Sequence, residues 1–443
     1  MKQYPTYKES GLVNIETIPA HWEALKLRLV CDQIFTGNTP VYAYEPNEFL
    51  VFGQRNNQKN CIDFAGIKYA DPEFFAARTE NEFLRYGDVL LNTLGGGSVG
   101  RIGFYDVKDK QVITDGHVMI LRGNKSVEQK YLYYFLHSQQ SLLEEAAVGS
   151  TNQAFLTTTQ MFQWKVAVPP LAEQQAIAKF LDSKTAKIDE TISLYEQQKA
   201  DLVEYRKALI SDTVTRGLNP NVPLKDSGIQ WLGQIPEGWN VSKIKYCCDV
   251  FGRIGFRGYT IEDMVPAGEG AITLSPSNIK DGKMSFDKLA YLSWAKYEES
   301  PEIQIQVGDI LLTKTGSSYG KCAYVDYLPM EATINPQFVV LKNFHENARY
   351  LAYIMQTPMI KKQEEDSVVG GAIPTMAQED INNFVLPVPS LAEQQAIVSF
   401  LDTKTAMIDE AIRRIDEQIA DLKAYRTALI TDAVTGKIDV RKE

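Results

Sequence analysis

The sequence is poor in the residues that build disulfide frameworks, metal sites and histidine-based catalytic sites. Its five cysteines are scattered, and none forms a Cys-x-x-Cys pair or stands near a histidine at zinc-ligand spacing. The four histidines, His21, His117, His137 and His345, do not recur between the two similar halves described below. We therefore expect no bound metal and no catalytic histidine.

Long apolar runs and a surplus of basic residues are also missing. No stretch approaches the roughly 20 apolar residues that span a bilayer, and the first residues lack the basic-then-apolar pattern of a secretory signal, so we expect a cytoplasmic protein. The formal charge of −10 disfavours a protein that holds nucleic acid by a broad basic surface. Any DNA contact should be local or supported by a partner.

Motifs of nucleotide-dependent enzymes are incomplete. The stretch GGGSVGR (95–101) has glycines at P-loop spacing, but Arg101-Ile102 replaces Lys-Ser/Thr, and GSSYGKC (316–322) is one residue too short. No adenine methyltransferase signature or helicase motif is present, which disfavours a methyltransferase or nuclease acting alone. The two loops are either tight turns between strands or places where backbone amides and Arg101, Lys314 or Lys321 approach a phosphate.

An internal repeat is the strongest positive signal. The stretch 171–215, which begins LAEQQAI, returns 220 positions later at 391–435 with roughly two positions in three identical. The entry segments 9–22 and 226–239 share Ser-Gly, Ile-Pro and Trp. Whole halves are therefore duplicated, and each half ends in one long helix.

An apolar residue recurs every seven positions in both long helices, which is typical of a coiled coil. The predicted helix–helix seam consists of Leu181, Ile188, Tyr195, Leu202, Leu209, Leu401, Ile408, Ile415, Leu422 and Leu429. A single amphipathic helix lying on a globular core is the alternative. A helix of about 45 residues would be about 66 Å long, which exceeds a domain of this size and favours pairing.

Each half also contains apolar strands, a glycine loop and an amphipathic helix. We predict an α+β fold with two pseudo-symmetric α/β domains joined by two long antiparallel coiled-coil helices. The predicted boundaries are 1–168 for the first domain, 169–216 for the first long helix, 217–226 for a linker, 227–388 for the second domain, 389–436 for the second long helix and 437–443 for a tail.

The chain resembles the specificity subunits of type I restriction-modification systems over nearly its whole length. The resemblance is carried by the duplicated LAEQQAI…FLD.KTA.IDE helices, by DSGIQWLGQIPEGW (226–239) and by RIGFRGYT (253–260). It implies two target recognition domains that each read half of a split double-stranded DNA site, and helices that set the gap. It also implies a cytoplasmic phage-defence complex with two modification subunits, which use S-adenosylmethionine for adenine methylation, and two restriction (motor) subunits, which use ATP and Mg. The chain itself would bind no cofactor.

The resemblance cannot transfer base contacts, because recognition domains differ most where they read DNA. Polar and basic loop residues are the candidates for major-groove readout. Those predicted are Asn38, Asn92, Ser98, Arg101, Asn152 and Gln153 in the first domain and Arg253, Arg257, Lys314, Ser317, Ser318 and Tyr319 in the second. Each could equally be an ordinary exposed loop residue, and a coiled-coil scaffold that binds only proteins stays an alternative function.

Overall fold

The computed structural model describes residues 2–58, 61–149, 154–229, 231–253, 255–368 and 373–441, with the backbone only at Phe256. The chain divides into two compact units. Unit 1 comprises Met1–Glu196 and Asp416–Glu443, and unit 2 comprises Gln197–Ile415. Each unit therefore combines a mixed helix and strand domain with part of both long helices.

The two long helices span Leu171–Arg216 and Leu391–Val434. Each begins after a proline-containing strand end, where a buried glutamine satisfies a backbone carbonyl: Gln174 Nε2 donates to Pro169 O (2.8 Å) and Gln394 Nε2 to Pro389 O (2.9 Å). Gly217 (φ +79°) and Gly436 (φ +74°) follow the helix ends, where a left-handed residue stops the helix. The repeated sequence therefore encodes repeated helix boundaries.

In unit 1 the two long helices run antiparallel. Asp189 pairs with Arg426 (2.9 Å) and Glu196 pairs with Lys423 (3.5 Å). Residue numbers therefore increase along the first helix in the direction in which they decrease along the second. The Arg426 guanidinium makes two hydrogen bonds to the Asp189 carboxylate, and this planar pairing fixes the register of the two helices.

Unit 2 has the same antiparallel arrangement. Arg206 pairs with Asp409 at 3.2 Å, and these residues are the repeat counterparts of Arg426 and Asp189. Farther along, Ile210 and Val214 share a core with Ile397 and Leu401. That core also contains residues of the domain, so the stripe packs against both a helix and a globular core.

The predicted seam residues are buried or half-buried. Those that are buried are Leu181, Ile188, Leu401, Ile408, Ile415 and Leu429, and those that are half-buried are Tyr195, Leu202, Leu209 and Leu422.

The domain of unit 1 is built on a four-stranded antiparallel sheet. Its strand order is Cys31–Thr36, Val118–Gly123, Val89–Asn92, Ile102–Phe104. A second sheet has the order Lys68–Tyr69, Leu50–Phe52, Val112–Thr114, and its last two strands are parallel. Two-stranded pairs join Tyr7–Leu12 to Ile15–Pro19 and Lys165–Val168 to Glu23–Lys26. The helices are Leu27–Val30, Pro72–Ala76, Gln129–Ser138, Gln140–Ala146 and Thr158–Gln163, with 3₁₀ turns Gln54–Asn56 and Glu80–Glu82.

The domain of unit 2 has the same arrangement, but its two main sheets contain more strands. The first has the order Asp249–Gly252, Phe338–Lys342, Ile310–Thr313, Cys322–Tyr324, Lys283–Met284, Ile279–Lys280. The second has the order Met264–Val265, Ala290–Ser293, Gly270–Leu274, Ala332–Ile334, Gln304–Ile305, and Gly270–Leu274 is parallel to Ala332–Ile334. Two-stranded pairs join Leu224–Asp226 to Gln234–Pro236 and Asn240–Lys243 to Val385–Val388. The helices are Ile244–Cys247, Trp294–Glu298, Ala348–Ile354, Pro358–Ser367 and Gln378–Asn382, with 3₁₀ turns Gly255–Arg257, Ile261–Asp263, Pro276–Asn278 and Pro301–Ile303.

The recurring tryptophan ties each domain to the first turn of its own long helix. Trp22 Nε1 donates to Glu173 and Trp239 Nε1 donates to Glu393, both at 3.0 Å. Both indoles are essentially buried, so each needs an acceptor for its N–H group. This explains why the Trp and the Glu of LAEQQ recur together in the sequence.

An ion pair links two neighbouring strands of the main sheet in each unit, buried in unit 1 and partly buried in unit 2. In unit 1, Arg122 Nε donates to Asp88 Oδ1 (2.8 Å), and both side chains are less than 10% exposed. Unit 2 has Lys342 and Asp309 in the corresponding places. The Gly-Asp turn that recurs before an apolar strand therefore supplies the acid that neutralises a buried cation.

We expect Asp88→Ala to lower the free energy of unfolding by about 3–5 kcal/mol, because it leaves the Arg122 guanidinium buried without its counterion. Asp212→Ala is the matched control, since Asp212 pairs with Arg216 across 3.5 Å on the surface. That control should cost less than about 1 kcal/mol. Denaturant titration followed by circular dichroism measures both, and equal costs would contradict the assignment of the buried pair.

Candidate nucleic-acid interface

The loops that carry Asn38 and the predicted residues between Asn92 and Arg101 leave the same end of the four-stranded sheet. Strands Cys31–Thr36 and Val89–Asn92 end there, and the neighbouring antiparallel strand Val118–Gly123 begins there. We call the segment 93–101 the glycine loop of unit 1. It is held against residues 115–117, because Thr93 N and Thr93 Oγ1 both donate to His117 O.

Two of the predicted residues fix the shape of the glycine loop. Ser98 Oγ lies 2.9 Å from both Gln54 Oε1 and Leu94 O. Arg101 donates to Asn57 O and to Gly97 O at 3.0 Å each. The guanidinium therefore donates to two backbone carbonyls and stabilises a structured turn, while an approach of the loop to a phosphate stays a prediction.

The other predicted residues of unit 1 have three different placements. Asn92 is fully buried and bridges Gln54 O (3.1 Å) and the amide of Asn57 (3.0 Å). Asn38 is exposed and donates to Glu82 Oε1 at 2.7 Å. Asn152 and Gln153 lie outside the described residues.

In unit 2 the two predicted arginines support the loops. Arg253 is only 7% exposed and donates to Ile334 O (3.1 Å) and Thr333 Oγ1 (3.0 Å). Arg257 is half-buried and lies 3.4 Å from Glu302 Oε1. Both side chains contact neighbouring groups of the protein through hydrogen bonds, so they position the segment after Asp249–Gly252.

The glycine loop of unit 2, residues 314–321, carries the remaining predicted residues. Ser317 is exposed and Ser318 is half-buried, while Tyr319 packs against the core of the unit. Gly320 adopts φ +79°, and a Cβ atom there would lie 2.3 Å from Glu364 Oε2. The left-handed backbone favours glycine at this position, and a larger residue would also displace the Glu364 carboxylate beneath the loop.

Lys314 differs from the predicted arginines because its ammonium has no hydrogen-bond or ion-pair partner among the described residues. The side chain is half-buried, and burial lowers the pKa of its ammonium. Its backbone N–H donates to Gln337 O (2.7 Å), so the loop is anchored to the turn that precedes Phe338–Lys342. An unpaired, partly desolvated cation at a loop edge is well suited to an anionic ligand.

Sequence reasoning missed a pair of turns beside each glycine loop. In unit 1 the parallel strands Leu50–Phe52 and Val112–Thr114 end side by side, followed by residues 53–56 and 115–117. In unit 2 the strands Gly270–Leu274 and Ala332–Ile334 end in the same way, followed by 275–278 and 335–337. We call each pair the twin turns. The sequence signal that could have indicated these turns is a difference between the halves: Asp-Gly-His (115–117) and Asn-Pro-Gln (335–337) precede strands of similar sequence.

The glycine loop and twin turns of each unit form a loop face with polar and cationic side chains. In unit 1, Arg55 and His117 are exposed, and the Lys68 ammonium lies 4.3 Å from the ring centroid of Tyr42. Tyr44 is fully exposed on the neighbouring segment. Cations and aromatic rings together on a loop edge are typical of nucleic-acid contacts.

Comparison with known proteins assigns this architecture to a family. The model of the type I restriction modification DNA specificity domain matches residues 19–202 and 253–420. The chain belongs to this family. The type I restriction enzyme MjaVIII specificity subunit of Methanocaldococcus jannaschii is 25% identical over 372 residues, which is 83% of each chain. These two matches confirm the prediction, made from the internal repeat, that the chain contains two similar recognition domains.

Solved structures of type I specificity subunits share the fold. A chain from a structure of the type I R-M system, described in terms of complex assembly and conformational transition, aligns with a TM-score of 0.71 at 16% identity over 95% of this chain and 99% of that one. The crystal structure of the HsdS subunit from Thermoanaerobacter tengcongensis aligns with a TM-score of 0.52 at 16% identity over 95% and 98%.

Two searches of the described residues give negative findings. No group of three or more histidine, cysteine, aspartate or glutamate side chains there is placed to hold a metal ion. None of the described helices has the length and apolar character needed to cross a membrane.

Proposed function

We propose that the chain is the non-catalytic subunit that gives a type I restriction-modification complex its DNA sequence specificity. Each unit reads one half of a bipartite double-stranded site through its loop face, and the paired long helices set the unread gap. The observation that carries this proposal is the duplication of the loop face on one framework, within a chain that belongs to the DNA specificity family.

The partners follow from the charge of the chain and from its repeated helices. A chain with a formal charge of −10 needs partners that supply phosphate neutralisation, because phosphate contacts provide most non-specific affinity. The repeat offers two equivalent docking positions, so we propose two modification subunits and two restriction subunits. S-adenosylmethionine, ATP and Mg would be used by those subunits, and the complex would act in the cytoplasm as an adenine methyltransferase and ATP-dependent endonuclease.

The roles of the candidate residues can now be divided. Lys314, Ser317 and Ser318 are proposed to contact DNA directly. The other described candidates in contact with neighbouring protein groups, Asn92, Ser98, Arg101, Arg253, Arg257 and Tyr319, are proposed to hold the loops in the shape that reading requires. Asn38 also contacts a protein group, the Glu82 carboxylate, but its side chain is exposed, and it is proposed as a phosphate or sugar contact.

A methyl-transfer assay separates this function from an enzyme acting alone. The purified chain, incubated with labelled S-adenosylmethionine and DNA, should transfer no methyl group, whereas the chain with its modification subunits should methylate adenine. Robust transfer by the chain alone would contradict a non-catalytic role. Methylation by the modification subunits that is equally fast and equally distributed without the chain would instead point to a protein-binding scaffold.

A further inference from the structure

The twin turns of the two units share the same framework bonds. In the first turn, a buried asparagine accepts from the backbone N–H three residues earlier: Asn56 from Gly53 (3.0 Å) and Asn278 from Ser275 (2.9 Å). The amide groups of both asparagines then donate to a backbone carbonyl farther along the chain, Asp63 O at 2.8 Å or Ser285 O at 3.0 Å. The first turn is therefore built alike in both units.

The second turn is also built alike. Asp115 Oδ1 accepts from His117 N (2.9 Å), and Asn335 Oδ1 accepts from Gln337 N (3.0 Å). The second turn is tied to the preceding strand of the parallel pair, because Asp115 N donates to Phe52 O and Asn335 N donates to Leu274 O. Each pair of twin turns is thus a platform held by the same hydrogen bonds in both units, whether the residue that caps the second turn is an aspartate or an asparagine.

The side chains presented on this common platform have different chemistry. Unit 1 presents an acid and an imidazole, Asp115 and His117, whereas unit 2 presents two amides, Asn335 and Gln337. Two domains that read different DNA sequences with the same fold need a common backbone framework that carries different polar side chains. The twin turns have this arrangement.

In unit 1 the Asp115 carboxylate faces a cleft of about 190 Å³ that is also lined by Tyr42, Arg55, Lys68 and His117. Gly53 leaves room for this carboxylate, since a Cβ atom there would lie 2.8 Å from Asp115 Oδ2. An ionised carboxylate only accepts hydrogen bonds, which suits the exocyclic amine of cytosine or adenine. The cations beside it are suited to the flanking phosphates or to guanine.

In unit 2 the two amides are joined to each other. Asn335 Nδ2 donates to Gln337 Oε1 at 3.0 Å, which orients the Gln337 amide at the edge of the glycine loop. An Asn or Gln amide matches the N6 and N7 positions of adenine. Lys314, bonded through its backbone to Gln337 O, brings a cation to the same turn.

We propose that the outward side chains of the twin turns, Asp115 and His117 in unit 1 and Asn335 and Gln337 in unit 2, determine which bases each unit accepts. This inference rests on the proposed function. It adds the residues that distinguish the two half-sites, and it assigns to unit 1 a readout by a hydrogen-bond acceptor and to unit 2 a readout by amides.

The test exchanges the two chemistries on the shared platform. The double variant Asp115→Asn, His117→Gln gives unit 1 the side chains of unit 2, and the turn is preserved because Asn335 makes the same bond to the backbone. The full complex of chain and modification subunits methylates a randomised DNA library, which is sequenced. We expect discrimination at one or more positions of one half-site to fall by about 5- to 150-fold or to change base, with the other half-site unchanged.

The reciprocal variant Asn335→Asp, Gln337→His should alter only the half-site that the first variant leaves unchanged. Glu16 is an exposed residue of the hairpin Tyr7–Pro19, and the control variant Glu16→Gln should alter neither half-site. Selection of bound DNA from the same library provides a second readout that does not require methyl transfer. A variant with slow methylation therefore still reports its half-site.

The outcomes distinguish a failure of the proposed function from a failure of the assignment of specificity to the twin turns. If the unaltered complex selects no bipartite site, the proposed function is wrong. If it selects one, and both double variants keep both half-sites unchanged in methylation and in binding, the twin turns do not determine specificity. Changes in both half-sites from a single double variant would also overturn the assignment of one turn pair to one half-site.

Discussion

Seven residues inserted after Gln197, together with seven after its repeat counterpart Glu417, should lengthen the unread gap by one to three base pairs. The insertion adds two helical turns, or about 10 Å at 1.5 Å per residue, to each helix. Inserting in both helices keeps the seam in phase, because seven residues is one heptad. Methylation of the original site should then fall to background while a site with a longer gap is methylated.

The control for this experiment is a seven-residue insertion in the polar linker at 219–221, which lies outside both helices. It should leave the gap unchanged. Sequencing of methylated DNA identifies the gap and both half-sites in one measurement. Altered half-sites with an unchanged gap would show that the helices do not act as the spacer.

The second large effect concerns Gly37, where the chain leaves the strand Cys31–Thr36. A Cβ atom at Gly37 would lie 2.1 Å from Thr114 O, at the end of the strand Val112–Thr114, and 2.6 Å from Asp115 O, in the second twin turn. Gly37→Ala must therefore displace that turn. We expect methylation of the native site to fall at least tenfold, because the displaced turn should lose contacts with DNA worth about as much as one base pair. The free energy of unfolding should fall by about 1–3 kcal/mol.

Gly116→Ala is the matched control within the same turn. A Cβ atom at Gly116 meets only ordinary contacts at 3.6 Å and beyond, and its backbone does not need the left-handed region. It should retain methylation within about twofold. Equal losses from Gly37→Ala and Gly116→Ala would mean that any side chain near the turn is harmful and that displacement is not the cause.

The helices and the duplication could be predicted from sequence because their signals are local. The boundaries at Leu171 and Leu391 follow prolines, and the heptad stripe repeats often enough to be read without tertiary information. The salt bridges Arg426–Asp189 and Arg206–Asp409 look like ordinary surface charges in the sequence. Their pairing depends on helix register, which the sequence pattern alone does not specify.

The loop face was predicted only in outline because its construction depends on distant residues. Arg253 and Asn92 have the chemistry of base-reading side chains, but each donates a hydrogen bond to an acceptor that lies 81 or 38 positions away in the chain. The twin turns exist because two short strands, Leu50–Phe52 and Val112–Thr114, pair in parallel across a long sequence separation. No local sequence pattern predicts such pairing, so the sequence alone does not identify Asp115 and His117 as candidates.

The central claim is that one chain directs methylation to a site read in two halves. Sequencing adenine methylation in the DNA of cells that express the chain with its modification subunits tests this claim most directly. We predict a single bipartite motif with a fixed gap, absent from cells that express the modification subunits alone. Methylation at an uninterrupted motif, or the same pattern without the chain, would contradict the account.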